Sequence, residues 1–236
     1  MSVVTQLDMI TTVVDDPDAV FARLRDDFGL PVLWELYDAG PYRSGAVRMG
    51  NVSIEVLQRS NGDSPPVVLS FHPASLAGLG AELDNRQVHH GGVVEVHGKC
   101  PDGSEGLLHT EVVLQGDFAG PSCRVRVREP GVAVSPTGGS SKAGIHGIER
   151  VRIGTDDGAA TIETWQRFLV PTRFDGAEWT FEHGPAVGIE AAESVHLVGF
   201  FLEVGSVDTA AATLGVEAST ASSEGVDVGS LRFFLY

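Results

Sequence analysis

The sequence predicts an α+β fold in which strand–helix–strands modules recur in tandem and pair into two half-barrels. Three observations predict it. Two stretches about 140 residues apart open alike. One reads Leu7-Asp8-Met9-Ile10-Thr11-Thr12-Val13-Val14-Asp15-Asp16, the other Gly147-Ile148-Glu149-Arg150-Val151-Arg152-Ile153-Gly154-Thr155-Asp156-Asp157. Each is an apolar strand that ends in an Asp pair and leads into a helix. A similar carboxylate phrase then follows in each half, Ser53-Ile54-Glu55-Val56 and Gly188-Ile189-Glu190-Ala191. Finally, Gly131–Ala143 is rich in Gly, Ser and Pro and reads as a linker. It divides the chain into a first domain, 1–130, a connection, 131–144, and a second domain, 145–236.

The elements follow in order. Leu7–Val14 is a strand, and Asp16 and Pro17 suit the N-cap and first turn of a helix to Phe28. Val20, Phe21, Leu24 and Phe28 recur at helical spacing and mark its buried face, and Gly29 ends it. Strands follow at Val32–Tyr37, Arg43–Arg48 and Val52–Leu57, the last two joined by a Gly50-Asn51 turn. After the turn-rich Ser60–Pro66, the plan repeats: strand Val67–Phe71, a helix from Ser75 to Arg86 with Leu76, Leu79 and Leu83 inward, then strands Val93–His97, Leu107–Leu114 and Cys123–Arg128. Beyond the linker come strand Gly147–Ile153, a helix Ala159–Leu169, and strands Glu178–Glu182 and Ala186–Ala191. The fourth unit has strand Val195–Val204, a helix Val207–Leu214, a polar loop Glu217–Gly225 and strand Gly229–Tyr236.

Composition narrows the function classes. With 236 residues, 42% hydrophobic and a mean hydropathy of +0.07, the chain reads as a globular protein with a real core. The net charge of −16 repels phosphate backbones and anionic lipid, so no nucleic-acid or membrane partner is expected. Met1–Gln6 carries no basic region or apolar core of an export signal, and no run approaches a membrane span. The expected compartment is cytoplasmic, where Cys100 and Cys123 read as free thiols rather than a bridge.

The order of these phrases resembles the vicinal oxygen chelate superfamily, which includes glyoxalase I, extradiol dioxygenases, methylmalonyl-CoA epimerase and the bleomycin and fosfomycin resistance proteins. The matching phrases are Leu7–Asp16 with its helix, Leu30-Pro31-Val32, Gly50–Glu55, and Gly147–Asp157 with Trp165-Gln166-Arg167. The resemblance implies four βαβββ modules, two to a domain, around a cleft in each domain. It also implies, in metal-dependent members, a His on a module's first strand and a Glu on its last. Here the first-strand positions fall on Met9, Arg150, a point near Gly199, and Pro65 or Pro66. None is His, and neither a thioether nor a guanidinium suits a hard divalent ion. No cofactor is therefore expected, although a divalent metal could enter through relocated ligands such as His72, His97 or His109 with Glu55 or Glu129.

Strand alternation sets Ser53, Glu55 and Leu57 on the face opposite the helix-covered Val52, Ile54 and Val56. Glu55 should therefore point into the first cleft, where burial would raise its pKa and suit it to act as a general base. His72, at a strand end before Pro73, is the second catalytic candidate. Met9, Trp34, Tyr42 and Arg43 are expected to bind substrate at the first cleft, and Arg150 and Glu190 at the second, with Arg152 on the same face as Arg150. Arg124, Arg126 and Arg128 share one face and read as a solvated edge strand. The expected function is a metal-independent isomerase, lyase or cyclase of specialised metabolism that moves a proton on a carbonyl- or enol-bearing small molecule. The alternatives are a binding protein that sequesters an antibiotic or metabolite, and a metal-dependent dioxygenase or glyoxalase-like enzyme with relocated ligands. The expected partners are a small molecule and a second copy in a homodimer.

Overall fold

The computed structural model describes residues 3–39, 42–59, 65–131 and 141–236; the central part of the expected linker, 132–140, and residues 60–64 of the turn-rich loop lie outside them. The first half runs β1 (Val4–Val13), α1 (Pro17–Ala22), β2 (Val32–Asp38), β3 (Tyr42–Met49), β4 (Val52–Arg59), β5 (Val67–Pro73), α2 (Leu79–Asn85), β6 (Val94–Lys99), β7 (Glu105–Val113) and β8 (Cys123–Pro130). The second half runs β9 (Ile145–Thr155), α3 (Gly158–Leu169), β10 (Arg173–Phe174), β11 (Glu178–Thr180), β12 (Ala186–Ala191), β13 (His196–Val204), α4 (Val207–Thr213), α5 (Ala218–Ser223), β14 (Val226–Val228) and β15 (Leu231–Leu235).

Each half folds its own sheet. The first is ordered β2-β3-β4-β1-β5-β8-β7-β6, the second β10-β11-β12-β9-β13-β15-β14. Within each module the first and last strands pair parallel, as β1 with β4, β5 with β8, β9 with β12 and β13 with β15. Modules meet antiparallel, β1 on β5 and β9 on β13. Unit one thus pairs with unit two, not across the chain's midpoint. The first sheet curls until its edges approach: a side chain added at Gly98 on β6 would come within 3.6 Å of the Ala39 carbonyl just beyond β2.

The two sheets share one apolar core, built from the helix-covered face of each. Asp16 and Asp157 occupy the same place in the two halves, each accepting a hydrogen bond from the backbone N–H three residues on at 3.0 Å. Behind these caps, α3 buries Trp165, Phe168 and Leu169, and Phe71 of β5 packs edge-on to Phe168 at 5.3 Å between ring centres. Trp165 Nε1 donates to the Phe118 carbonyl at 2.9 Å. On the other side, Phe28 meets Phe233 of β15 at 5.8 Å. Asn51 ties the halves at a turn, its Nδ2 donating to the Ile148 carbonyl at 2.9 Å and its Oδ1 accepting from Ile148 N–H at 3.1 Å. Gly50 beside it has φ +56°, and a Cβ there would stand 1.8 Å from the His146 carbonyl. Only glycine fits both conditions.

Several expectations change. The first helix is α-helical only to Ala22 and continues as a π-helical turn, Arg23–Asp27, which still buries Leu24 and delivers Phe28 to the core. The second helix starts at Leu79, after Gly78 in a left-handed conformation. The expected loop at Glu217–Gly225 contains α5, whose Ala221 is fully buried; packing on β15 overrides the weak helix preference of its serines and threonine. Pro65 and Pro66 precede β5, so the cleft-facing partner of Met9 in unit two is Ser70, its register mate. The triple-arginine strand is no solvated edge: β8 lies between β5 and β7, and Arg126 and Arg128 are 6% and 8% exposed. Cys100 and Cys123 are buried free thiols. Among the described residues no helix is long and apolar enough to cross a membrane.

Candidate functional site in the first half-barrel

Alternation builds the site. On β1, β4, β5 and β8 the side chains Ile10, Ile54, Leu69 and Val127 enter the core. Their neighbours Thr11, Glu55, Ser70, Arg126 and Arg128 face the concave side and are buried there as well. Both sides of these central strands are therefore covered, one by apolar packing and one by the curl of the sheet.

Glu55 is the centre of this polar layer. Thr11, its register partner on β1, donates to Oε2 at 2.8 Å, and Ser44 on β3 donates to Oε1 at 2.9 Å. Trp34 Nε1 in turn donates to Ser44 Oγ at 3.2 Å. Arg126 Nη2 stands 3.9 Å from Glu55 Oε2. Its Nε donates to Ser70 Oγ and its Nη1 to Glu111 Oε2, both at 2.7 Å. Glu111 Oε2 also lies 3.4 Å from His109 Nε2. Arg128 Nη1 sits 2.8 Å from Met9 Sδ. His109 Nδ1 and Arg128 Nε are buried without a hydrogen-bond partner among the described residues.

The charges decide the ionisation states. Burial alone would raise the Glu55 pKa, but the Arg128 and Arg126 guanidiniums and the two hydroxyl donors outweigh it and hold the carboxyl below its ordinary range. This overturns the expected raised pKa: the cleft is apolar on its rim but cationic where Glu55 sits. Glu111 is half-buried, and His109 and Arg126 bring its pKa down to about 2. His109 moves the other way for a base. Burial lowers its pKa, Arg128 and Arg126 add to the effect, and Glu111 opposes without reversing it. Burial also raises the Tyr37 phenol, with Tyr42 and Glu55 adding to it, so that it stays a neutral donor.

Above this layer lies a cavity of about 270 Å³, walled by Trp34, Tyr37, Tyr42 and Leu108 and floored by Glu55, His109 and Arg128. Its size is at the low end of the roughly 300–1,000 Å³ usual for small-molecule sites. Met9, Trp34, Tyr42 and Glu55, all singled out from the sequence, meet here. Arg43 does not; it forms an exposed ion pair with Asp18 at 2.6 Å. His72 pairs in register with Gln6 at the far end of β5, beyond the cavity lining. Thr11, Ser44, Glu111, Arg126 and Arg128 join the site although the sequence reading did not place them there. The signal for the arginines was visible in the alternation of Arg124, Arg126 and Arg128 with Val125 and Val127, but the neighbours of β8 were not.

The second concavity differs. The equivalence of Asp16 and Asp157 sets Thr11 opposite Arg152, and by register Glu55 pairs Thr11 as Gly188 pairs Arg152. The position corresponding to Glu55 is thus Gly188, not Glu190, which pairs Gly154 two residues further on. A Cβ on Gly188 would lie 3.0 Å from Arg152 Nη1, so the arginine covers the glycine. Arg150 and Arg152 each reach Glu178 at 3.8 Å, rather than Glu190, and Arg150 also pairs Glu149 at 2.7 Å and lies over the Tyr236 ring.

The divalent ion that the fold suggests finds no fitting donor set. The side chains touching Glu55 are two hydroxyls, a cation stands 3.9 Å away, and the thioether of Met9 faces a second cation. Ser70, in the other first-strand position, is engaged by Arg126. His97, named as a relocated ligand, is exposed and paired with Glu95 at 3.2 Å. Among the described residues no three His, Cys, Asp or Glu side chains gather as metal ligands.

No family model and no curated protein sequence matches the chain. Solved structures do. A mutant of 4-hydroxymandelate synthase from Streptomyces coelicolor aligns with a TM-score of 0.61 and 13% identity, over 90% of this chain and 75% of that one. A Mn(II)-bound glyoxalase from Novosphingobium aromaticivorans gives 0.59 and 13%, over 91% and 71%. A catechol 2,3-dioxygenase gives 0.55 and 12%, over 96% and 78%. All three are enzymes by name, and at these identities the likeness is one of fold. The chain shares with these structures a fold of two sheets, each built from two paired modules.

Proposed function

We propose that this chain is a metal-independent enzyme that moves a proton on a small carbonyl- or enol-bearing molecule held in the first-half cavity. The observation that carries the reading is His109. Glu111 faces its Nε2 and its Nδ1 has no partner among the described residues, while burial beside two guanidiniums favours the neutral ring. Such an imidazole is a base ready to accept a proton at Nδ1. In the step, Nδ1 takes a proton from the carbon next to a carbonyl, the C–H electron pair becomes the enolate double bond, and the oxygen gains the negative charge. Arg128 stabilises that oxygen. Returning the proton to another carbon isomerises the substrate; expelling a leaving group makes the reaction a lyase step. Glu55, with both oxygens committed to hydroxyls, serves as a fixed counter-charge for Arg126 and Arg128. The neighbours' names support enzyme chemistry in this fold but do not specify this reaction.

Deuterium uptake at the enolisable carbon of phenylpyruvate, followed by NMR in D₂O with EDTA, tests the reading. The expected result is uptake above the buffer rate that survives EDTA and falls about 100-fold in His109→Gln. Uptake abolished by EDTA, or unchanged in His109→Gln, contradicts it. The locked Glu55 also suits a second reading, a binding protein that sequesters its ligand; tight calorimetric binding with no exchange in any enolisable ligand would favour it.

A further inference from the structure

The layer beneath the cavity is not evenly satisfied. Arg126 has a carboxylate, a serine and a threonine for its donors. Arg128, two residues away on the same face, has a thioether for one nitrogen and nothing for Nε, and joins no ion pair among the described residues. Sulfur is a weak acceptor. The carboxylate of Glu55 contributes charge to Arg128 but directs both oxygens at Thr11 and Ser44. Burying a guanidinium with so few acceptors is costly unless something else supplies them. Arg128 lines the cavity, so a bound molecule can do so.

We infer that the first-half cavity takes a flat aromatic monocarboxylate, its carboxylate forked onto Arg128 and its ring against Trp34, Tyr37 and Tyr42. The inference rests on the reading of this cavity as the working site and names the class of molecule it admits. A carboxylate matches the guanidinium fork through two parallel hydrogen bonds. A phosphate dianion fits less well, because Asp8 and Glu55 share the wall and would repel the second charge. The aromatic wall gives a planar ring both area and favourable ring geometry.

Calorimetry on the unmodified protein with phenylacetate, phenylacetamide, cyclohexylacetate and phenyl phosphate tests this. Phenylacetate should bind, and the isosteric amide at least about tenfold more weakly. Cyclohexylacetate and phenyl phosphate should both fall below phenylacetate. Arg128→Lys keeps the charge but loses the fork, and should weaken phenylacetate about tenfold while leaving the amide unchanged. Arg124→Gln, on the same strand but outside the lining, should change nothing. The inference is overturned if amide and acid bind alike, if Arg128→Lys binds the acid as the parent does, or if no acid binds at millimolar concentration. Its failure is separable from that of the proton-transfer reading. Exchange without acid preference removes the ligand class and keeps the chemistry; acid-selective binding without exchange does the reverse.

Discussion

The two concavities share a frame and differ in what they hold. In the first, β4 presents Glu55, and cations from β8 converge on it. In the second, the same register position is Gly188, and the cation comes from β9 as Arg152, resting over the glycine. The first closes over a layer of buried charges; the second has Arg150 and Arg152 partly exposed and paired to Glu178 at 3.8 Å. The paired modules thus keep the elements that build the common core, the capping Asp and the aromatic helix face, while one cleft retains a charged centre and the other fills it. Apolar packing is carried by one face of these strands and the charged layer by the other, and in the first half both faces are covered.

That contrast can be broken most sharply at Glu55. Glu55→Gln leaves Arg126 and Arg128 buried with less compensation, and should cost about 3–5 kcal/mol in chemical denaturation. Gly188→Ala at the equivalent position meets only the flexible end of Arg152 and should stay within about 1 kcal/mol of the parent. Equal losses at the two sites would show that the first layer is no more strongly coupled than the second.

Acid sharpens the comparison. Glu111 has its pKa brought from an ordinary 4.5 to about 2, and Glu55 is also lowered. Both contribute stability that is complete above the unfolded value and lost as pH falls through the folded one. Denaturation midpoints should therefore drop between about pH 4.5 and pH 2, and Glu111→Gln should flatten that part of the profile. An unchanged slope in Glu111→Gln would place the acid sensitivity elsewhere.

Much of the fold was legible because it rests on local rules. The Asp16 and Asp157 caps, the Phe21, Leu24 and Phe28 spacing and the Gly50 turn each followed from residue type and period. The inward aim of Glu55 followed from alternation. Its ionisation did not, because that depends on the arginines of β8, a strand distant in sequence. The same limit hid Arg126 and Arg128: period two shows that they share a face, but whether that face meets water is set by the strands on either side. Matching Glu190 to Glu55 failed for a related reason. The similar phrases are offset by two residues in register, and only the pairing with β9 reveals Gly188 as the counterpart. The sequence offers His109 only as a relocated metal ligand; period two puts it on one face of β7 with Glu111, but the meeting of that pair with Arg126 depends on β7 lying beside β8.

The central proposal, that a neutral His109 beside the buried arginines acts as the base of the first half-barrel, is tested most directly by ¹⁵N NMR of labelled protein at pH 7. Our structure predicts a neutral His109 with its proton on Nε2, facing Glu111, and a lone pair on Nδ1. A doubly protonated ring, or a proton on Nδ1, would contradict it.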